Sequence, residues 1–81
     1  MRRKHSFEFS WAVGNRIYQL RTARGMSQRG LAQVLGSDSN ELVARWERGA
    51  SSPSAEALVK LSEFFDVSVD WILKGEKDEQ I

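Results

Sequence analysis

Four glycines, Gly25, Gly36, Gly49 and Gly75, each close a stretch whose apolar residues recur at helical spacing, and this punctuation limits the chain to short helices. Ahead of the first, Val13, Ile17 and Leu20 fall at i, i+4 and i+7 with Arg16, Arg21 and Arg24 between or beyond them, which predicts an amphipathic helix over about 11–24. Ser27 then stands where an N-cap belongs, and Leu31, Ala32 and Leu35 predict a second helix over about 28–35. After the turn-forming Gly36-Ser37-Asp38-Ser39, Val43 and Trp46 mark the buried stripe of a third helix, about 40–48. Beyond Ala50-Ser51-Ser52-Pro53, Ser54 can cap a fourth helix striped by Leu58, Leu61 and Phe65, with Glu56 and Lys60 paired on its outside. Ser68 can cap a short fifth helix carrying Val69, Ile72 and Leu73. No segment alternates as a strand would. The expectation is an all-α, five-helix domain around Ile17, Leu20, Leu31, Leu35, Val43, Trp46, Leu58, Leu61, Phe65 and Ile72.

Eighty-one residues, 41% of them apolar, suffice for one core and not for two. The expected division is a flexible basic arm over 1–10, the helical domain over 11–75 and a charged tail over 76–81. The absence of cysteine excludes disulfides and cysteine-ligated zinc. The one histidine, His5, lies in the arm and the carboxylates are scattered over outward faces, so no metal, no cofactor and no enzymatic activity are expected. No apolar run approaches the roughly 18 to 20 residues of a membrane span, and Met1-Arg2-Arg3-Lys4 leads into polar and aromatic residues instead of a signal-peptide core. A soluble cytoplasmic protein without a membrane partner is the expectation. The net charge of +1 hides a polarity: residues 1–50 carry nine Lys/Arg against four Asp/Glu, and residues 51–81 three against seven. A basic half of this kind suits a polyanion, although a mixed solvated surface gives similar counts.

Two short helices joined by a tight turn inside a small helical domain form the layout of a helix-turn-helix reader. Three stretches carry the likeness further: Leu20-Arg21 through Gly25-Met26-Ser27-Gln28, Leu31-Ala32 to Leu35-Gly36, and Val43-Ala44-Arg45-Trp46-Glu47-Arg48-Gly49. With Pro53, Leu58 and Val67-Ser68-Val69-Asp70-Trp71-Ile72-Leu73-Lys74-Gly75, they resemble the lambda-repressor/Cro-like (XRE) family over roughly 12–75. The chain departs from the family pattern in three places. The stretch between Gly36 and Glu47 is one residue longer, an insertion assigned to Ser37-Asp38-Ser39 that leaves the register of helix three open by one position. Gly30 stands inside helix two, at a cost of about 1 kcal/mol. The loop Ala50-Ser51-Ser52 lacks the basic residue often found there.

The resemblance implies sequence-specific binding to double-stranded operator DNA by a transcriptional regulator, a repressor of phage or mobile-element type, with helix three in the major groove. With Val43 and Trp46 turned inward, the face left for the bases holds Asn40, Glu41, Ala44, Arg45 and Arg48. Asparagine suits adenine, glutamate the cytosine amino group, arginine guanine, and alanine leaves room for a thymine methyl. Glu41 and Arg48 equally suit the two ends of the helix dipole, and Leu42 can cover a thymine methyl or pack against helix two. Gln28 resembles the family residue that fixes a phosphate. Ser27 is a cap before it is a contact, and Arg29 is open between phosphate and solvent. Arg21 and Glu47 match a family pair that forms a partly buried ion pair, a structural role. The arm Arg2-Arg3-Lys4-His5 can lie along phosphates or simply solubilise the terminus. A homodimer on a palindromic site is implied, with half-sites about 10 bp apart, and no separate oligomerisation domain is expected. Trp71 with Phe64 can contribute to its interface or only cover the monomer core. The alternative is a protein-interaction module on the same scaffold, to which the longer turn, Glu41 and the neutral loop would point.

Overall fold

The computed structural model describes residues 2–75, and side chains from Glu8 onward. Five helices follow in order: α1 (Arg2–Ala23), α2 (Gln28–Val34), α3 (Glu41–Glu47), α4 (Ala55–Phe65) and α5 (Val69–Lys74). No strand occurs among the described residues. The segment expected as an arm ahead of the first helix is corrected here, because α1 already begins at Arg2. Residues 2–13 contain neither proline nor glycine, and extending a formed helix backward adds a hydrogen bond per residue without a new nucleation cost. The side chains of Arg2, Arg3, Lys4 and His5 and the tail 76–81 lie outside the described part of the molecule.

The helix starts follow the capping chemistry. Ser27, Ser54 and Ser68 have extended backbones, and their hydroxyl oxygens accept from the backbone N–H groups of Gly30, Ala57 and Trp71 at 2.9, 3.1 and 2.9 Å. Each bond satisfies an amide that the first turn would leave orphaned. At the end of α2, Gly36 takes φ +86°, and the chain turns so that the Ser37 amide reaches back to the Ala32 carbonyl at 2.9 Å.

The apolar stripes converge on one core: Val13, Ile17, Leu31, Ala32, Leu35, Val43, Trp46, Leu61, Phe65 and Ile72. Leu20 and Leu58, expected within it, are half-buried against its rim. α1 packs mainly on α3 and α5, α2 on α3, and α4 on α5. The α1–α3 crossing depends on Gly14, where a Cβ would sit 1.8 Å from the carbonyl oxygen of Trp46. A glycine in the middle of a helix forfeits about 1 kcal/mol of propensity, and here that cost accompanies backbone-to-backbone approach. The far end of α1 is fixed to α4 by Arg24, whose guanidinium lies 5.0 and 5.1 Å from the ring centres of Phe64 and Phe65. Arg16 reaches the last turn of α5, donating to the Leu73 carbonyl at 3.5 Å.

Candidate nucleic-acid interface

The candidate interface is built from α2, the turn after it and α3. The longer turn is accommodated by hydroxyls: Ser37 Oγ accepts from the Ser39 amide at 3.2 Å, and Ser39 Oγ accepts from the Glu41 amide at 3.1 Å. Short side chains that bond their own backbone provide such a turn without help from elsewhere. Asn40 occupies the N-cap position with helical backbone angles and no side-chain cap bond, leaving its amide available.

Burial fixes the register of α3 that the sequence left open. Val43 is wholly buried and Trp46 is 2% exposed, so the helix turns Glu41, Arg45 and Arg48 outward with half-buried Ala44 among them and Asn40 exposed just ahead. Leu42 lies to one side, lining a shallow groove with Leu35, Ser54, Glu56, Ala57 and Lys60. It is 37% exposed there, beside Leu35 at the end of α2 and the first turns of α4.

The outward stripe has its own electrostatic structure. Arg48 Nη2 donates to Glu41 Oε2 at 3.0 Å, and both side chains remain more than half exposed. The Arg45 guanidinium, on the same stripe, has no hydrogen-bonding or ionic partner among the described residues.

The far end of α3 is locked to its neighbours. Arg21 donates through Nε and Nη2 to the two carboxylate oxygens of Glu47 at 2.7 and 2.9 Å, and through Nη1 to the Met26 carbonyl at 2.7 Å. The side chains are only 11% and 9% exposed. The hydrogen bonds that Arg21 donates to Glu47 hold its pKa above the ordinary arginine value, outweighing the burial that acts in the other direction. The Tyr18 ring stacks near the guanidinium, 5.4 Å from ring centre to carbon.

Gln28 joins this cluster, its Nε2 donating to Glu47 Oε1 at 3.0 Å. One N–H and the carbonyl oxygen of its amide remain for another partner. Ser27 accepts the cap bond and retains its own hydroxyl proton, while Arg29 is exposed beside them. The loop after α3 is tied to α1 by the hydroxyls of Ser10 and Ser52, 3.0 Å apart.

Neither the Gln28–Glu47 bond nor the Glu41–Arg48 pair was anticipated from the sequence. The second had a signal, since positions 41, 44, 45 and 48 share one helical stripe. The first joins residues 19 apart on different helices and had none. Among the described residues no group of three or more His, Cys, Asp or Glu is placed to hold a metal, and no helix is long and apolar enough to cross a membrane.

A helix-turn-helix family profile matches residues 17–72. The chain is 40% identical over 68 residues to the HTH-type transcriptional regulator DicA of Escherichia coli, covering 84% of this chain and 50% of that protein. It is 37% identical over 62 residues to the HTH-type transcriptional activator BcrR of Enterococcus faecalis, covering 76% of this chain and 30% of that protein. The chain thus spans half or less of the length of these curated relatives. Among solved structures, the P22 c2 repressor in complex with a synthetic operator superposes with a TM-score of 0.74 and 34% identity, over 79% of this chain and 96% of that one. With α2 and α3 as its helix-turn-helix and a lambda-repressor-like arrangement around them, the chain belongs to the XRE-type helix-turn-helix family of DNA-binding transcription regulators, which is not an enzyme family.

Proposed function

We infer that this chain, bacterial or phage-encoded, reads double-stranded operator DNA by laying α3 in the major groove, as a homodimer on a palindromic site, and that it acts as a repressor in the cytoplasm, at the nucleoid when bound. The observation that carries this reading is the outward stripe of α3. Asn40, Glu41, Ala44, Arg45 and Arg48 are accessible on a helix whose opposite side is anchored by Val43 and Trp46 and whose end is held by Arg21 and Glu47. Arg45, exposed and without a protein partner, is the side chain best placed to grip guanine O6 and N7. Gln28, Ser27 and Arg29 gather at the start of α2 with donors left over, which suits phosphates that set the position of the reading helix. The repressor role is supported by likeness to a protein solved as a repressor with its operator.

Selection from a random duplex pool tests the reading, with wild type and Arg45→Ala run in parallel. The expected result is a two-fold symmetric motif from wild type. Arg45→Ala should relax one base position in each half and weaken operator binding by about 1–3 kcal/mol per half-site. Absence of any motif, with binding that only fades as salt rises, would remove the reading and favour a protein-interaction role for the same scaffold.

A further inference from the structure

The ion pair between Glu41 and Arg48 lies across the centre of the stripe proposed to meet the bases, and it is an unusual pair for a helix. Ordinary intrahelical partners stand three or four residues apart. These two stand seven apart, so their backbones are separated by about 10.5 Å along the axis. They meet because side chains on a helix lean toward its N-terminus, which carries Arg48 back toward Glu41. The position beneath the bridge, three after Glu41 and four before Arg48, is Ala44, whose single methyl leaves the path open. With 56% and 58% of the two side chains exposed, the pair contributes little to folding. Its place on the stripe points to recognition.

We propose that Glu41 is a specificity-determining residue that acts through Arg48, withholding that guanidinium from DNA lacking the right base pairs; this rests on the DNA-reading function inferred above. A free arginine on this face would attach to any phosphate within reach and add affinity for every sequence equally. Bonded to Glu41, Arg48 has its charge offset and is drawn back along the helix, so the bond through Nη2 must open before the guanidinium can extend fully to a base, although its other N–H groups stay free. On arbitrary sequence nothing replaces the lost bond for Glu41, because phosphates repel it. At the operator a cytosine amino group can satisfy Glu41 while guanine O6 and N7 satisfy Arg48, so opening is compensated only there. Arg45, unpaired on the same stripe, supplies the attraction that Arg48 withholds. Discrimination then comes from a contact that is unfavourable on wrong DNA as much as from one that is favourable on the right DNA.

The test measures binding to the selected operator and to a scrambled duplex over a salt series, for wild type, Glu41→Gln, Arg48→Gln and the double variant, each with its melting temperature to confirm folding. Glu41→Gln should strengthen binding to the scrambled duplex by roughly threefold to tenfold and steepen its salt dependence by about one phosphate contact, a change near 0.9 in the log–log slope. Its operator-to-scrambled ratio should fall. Adding the same change to Arg48→Gln should leave scrambled binding nearly unaltered. An equal gain in both backgrounds would overturn the proposal, since removal of an acidic charge would then suffice, and so would no gain at all. If wild type itself shows no salt-dependent affinity for duplex DNA, the DNA-reading function fails and takes this proposal with it. Wild-type binding with an unaffected Glu41→Gln variant would overturn only the role of the pair.

Discussion

At the scale of single residues, the most consequential group is Arg21 with Glu47, because three donors of one guanidinium are bonded in a nearly dry setting. Such a pair adds little net stability over apolar residues of similar size, yet losing one partner strands a charge. Glu47→Ala is expected to lower stability by about 3 kcal/mol, at the low end for a buried pair because some of each side chain still meets water. Arg21→Met combined with Glu47→Leu should recover most of that loss, and urea unfolding midpoints of the single and double variants measure both. The raised pKa of Arg21 means that its share of stability is present below the unfolded-state value and would be lost only as pH rises through the higher folded-state value. That lies far above neutrality, so this arginine should introduce no pH dependence between neutral and mildly alkaline conditions. The residue pattern disclosed the pair only through its family likeness. The third member, Gln28, came from the fold.

At the scale of elements, the position of α3 depends on how closely α1 can approach it. Gly14 permits contact with the Trp46 carbonyl that any side chain would block. Gly14→Ala should raise helix propensity by about 1 kcal/mol and yet destabilise the domain, because overpacking against backbone costs typically about 1–3 kcal/mol and here exceeds what side-chain movement can relieve. A lower thermal midpoint with weakened operator binding is the expected outcome; a midpoint equal to or above wild type would contradict this account of the crossing. The helices themselves were well marked by their stripes, glycines and serine caps. The start of α1 was not, since residues 2–10 bear no strong apolar period and their helical state at Arg2 is a continuation of the turns that follow.

At the scale of the whole molecule, one copy offers a single α3 of seven residues, which spans about two turns and, under the proposed function, would cover only a few base pairs. Two copies related by a two-fold axis, with half-sites about 10 bp apart, would extend recognition to a site worth selecting. Sedimentation of the chain with one full-length operator duplex should therefore give two chains per duplex, and a half-site should bind more weakly. A single chain per duplex at saturation would contradict the dimeric arrangement. The sequence by itself determined the five helices, most of their ends and most residues of the core, Val13 and Ala32 excepted, because apolar period, serine caps and stop glycines act within a few residues of one another. It also indicated which side of α3 faces outward, conditional on the family likeness. The tertiary structure decided the register after the longer turn, the Gln28 bond to Glu47, the bridge from Glu41 to Arg48 and the close approach at Gly14. The reason is physical: apart from the bridge, these depend on which surfaces meet when helices distant in sequence pack, and the bridge depends on which way two long side chains lean once the helix between them has formed.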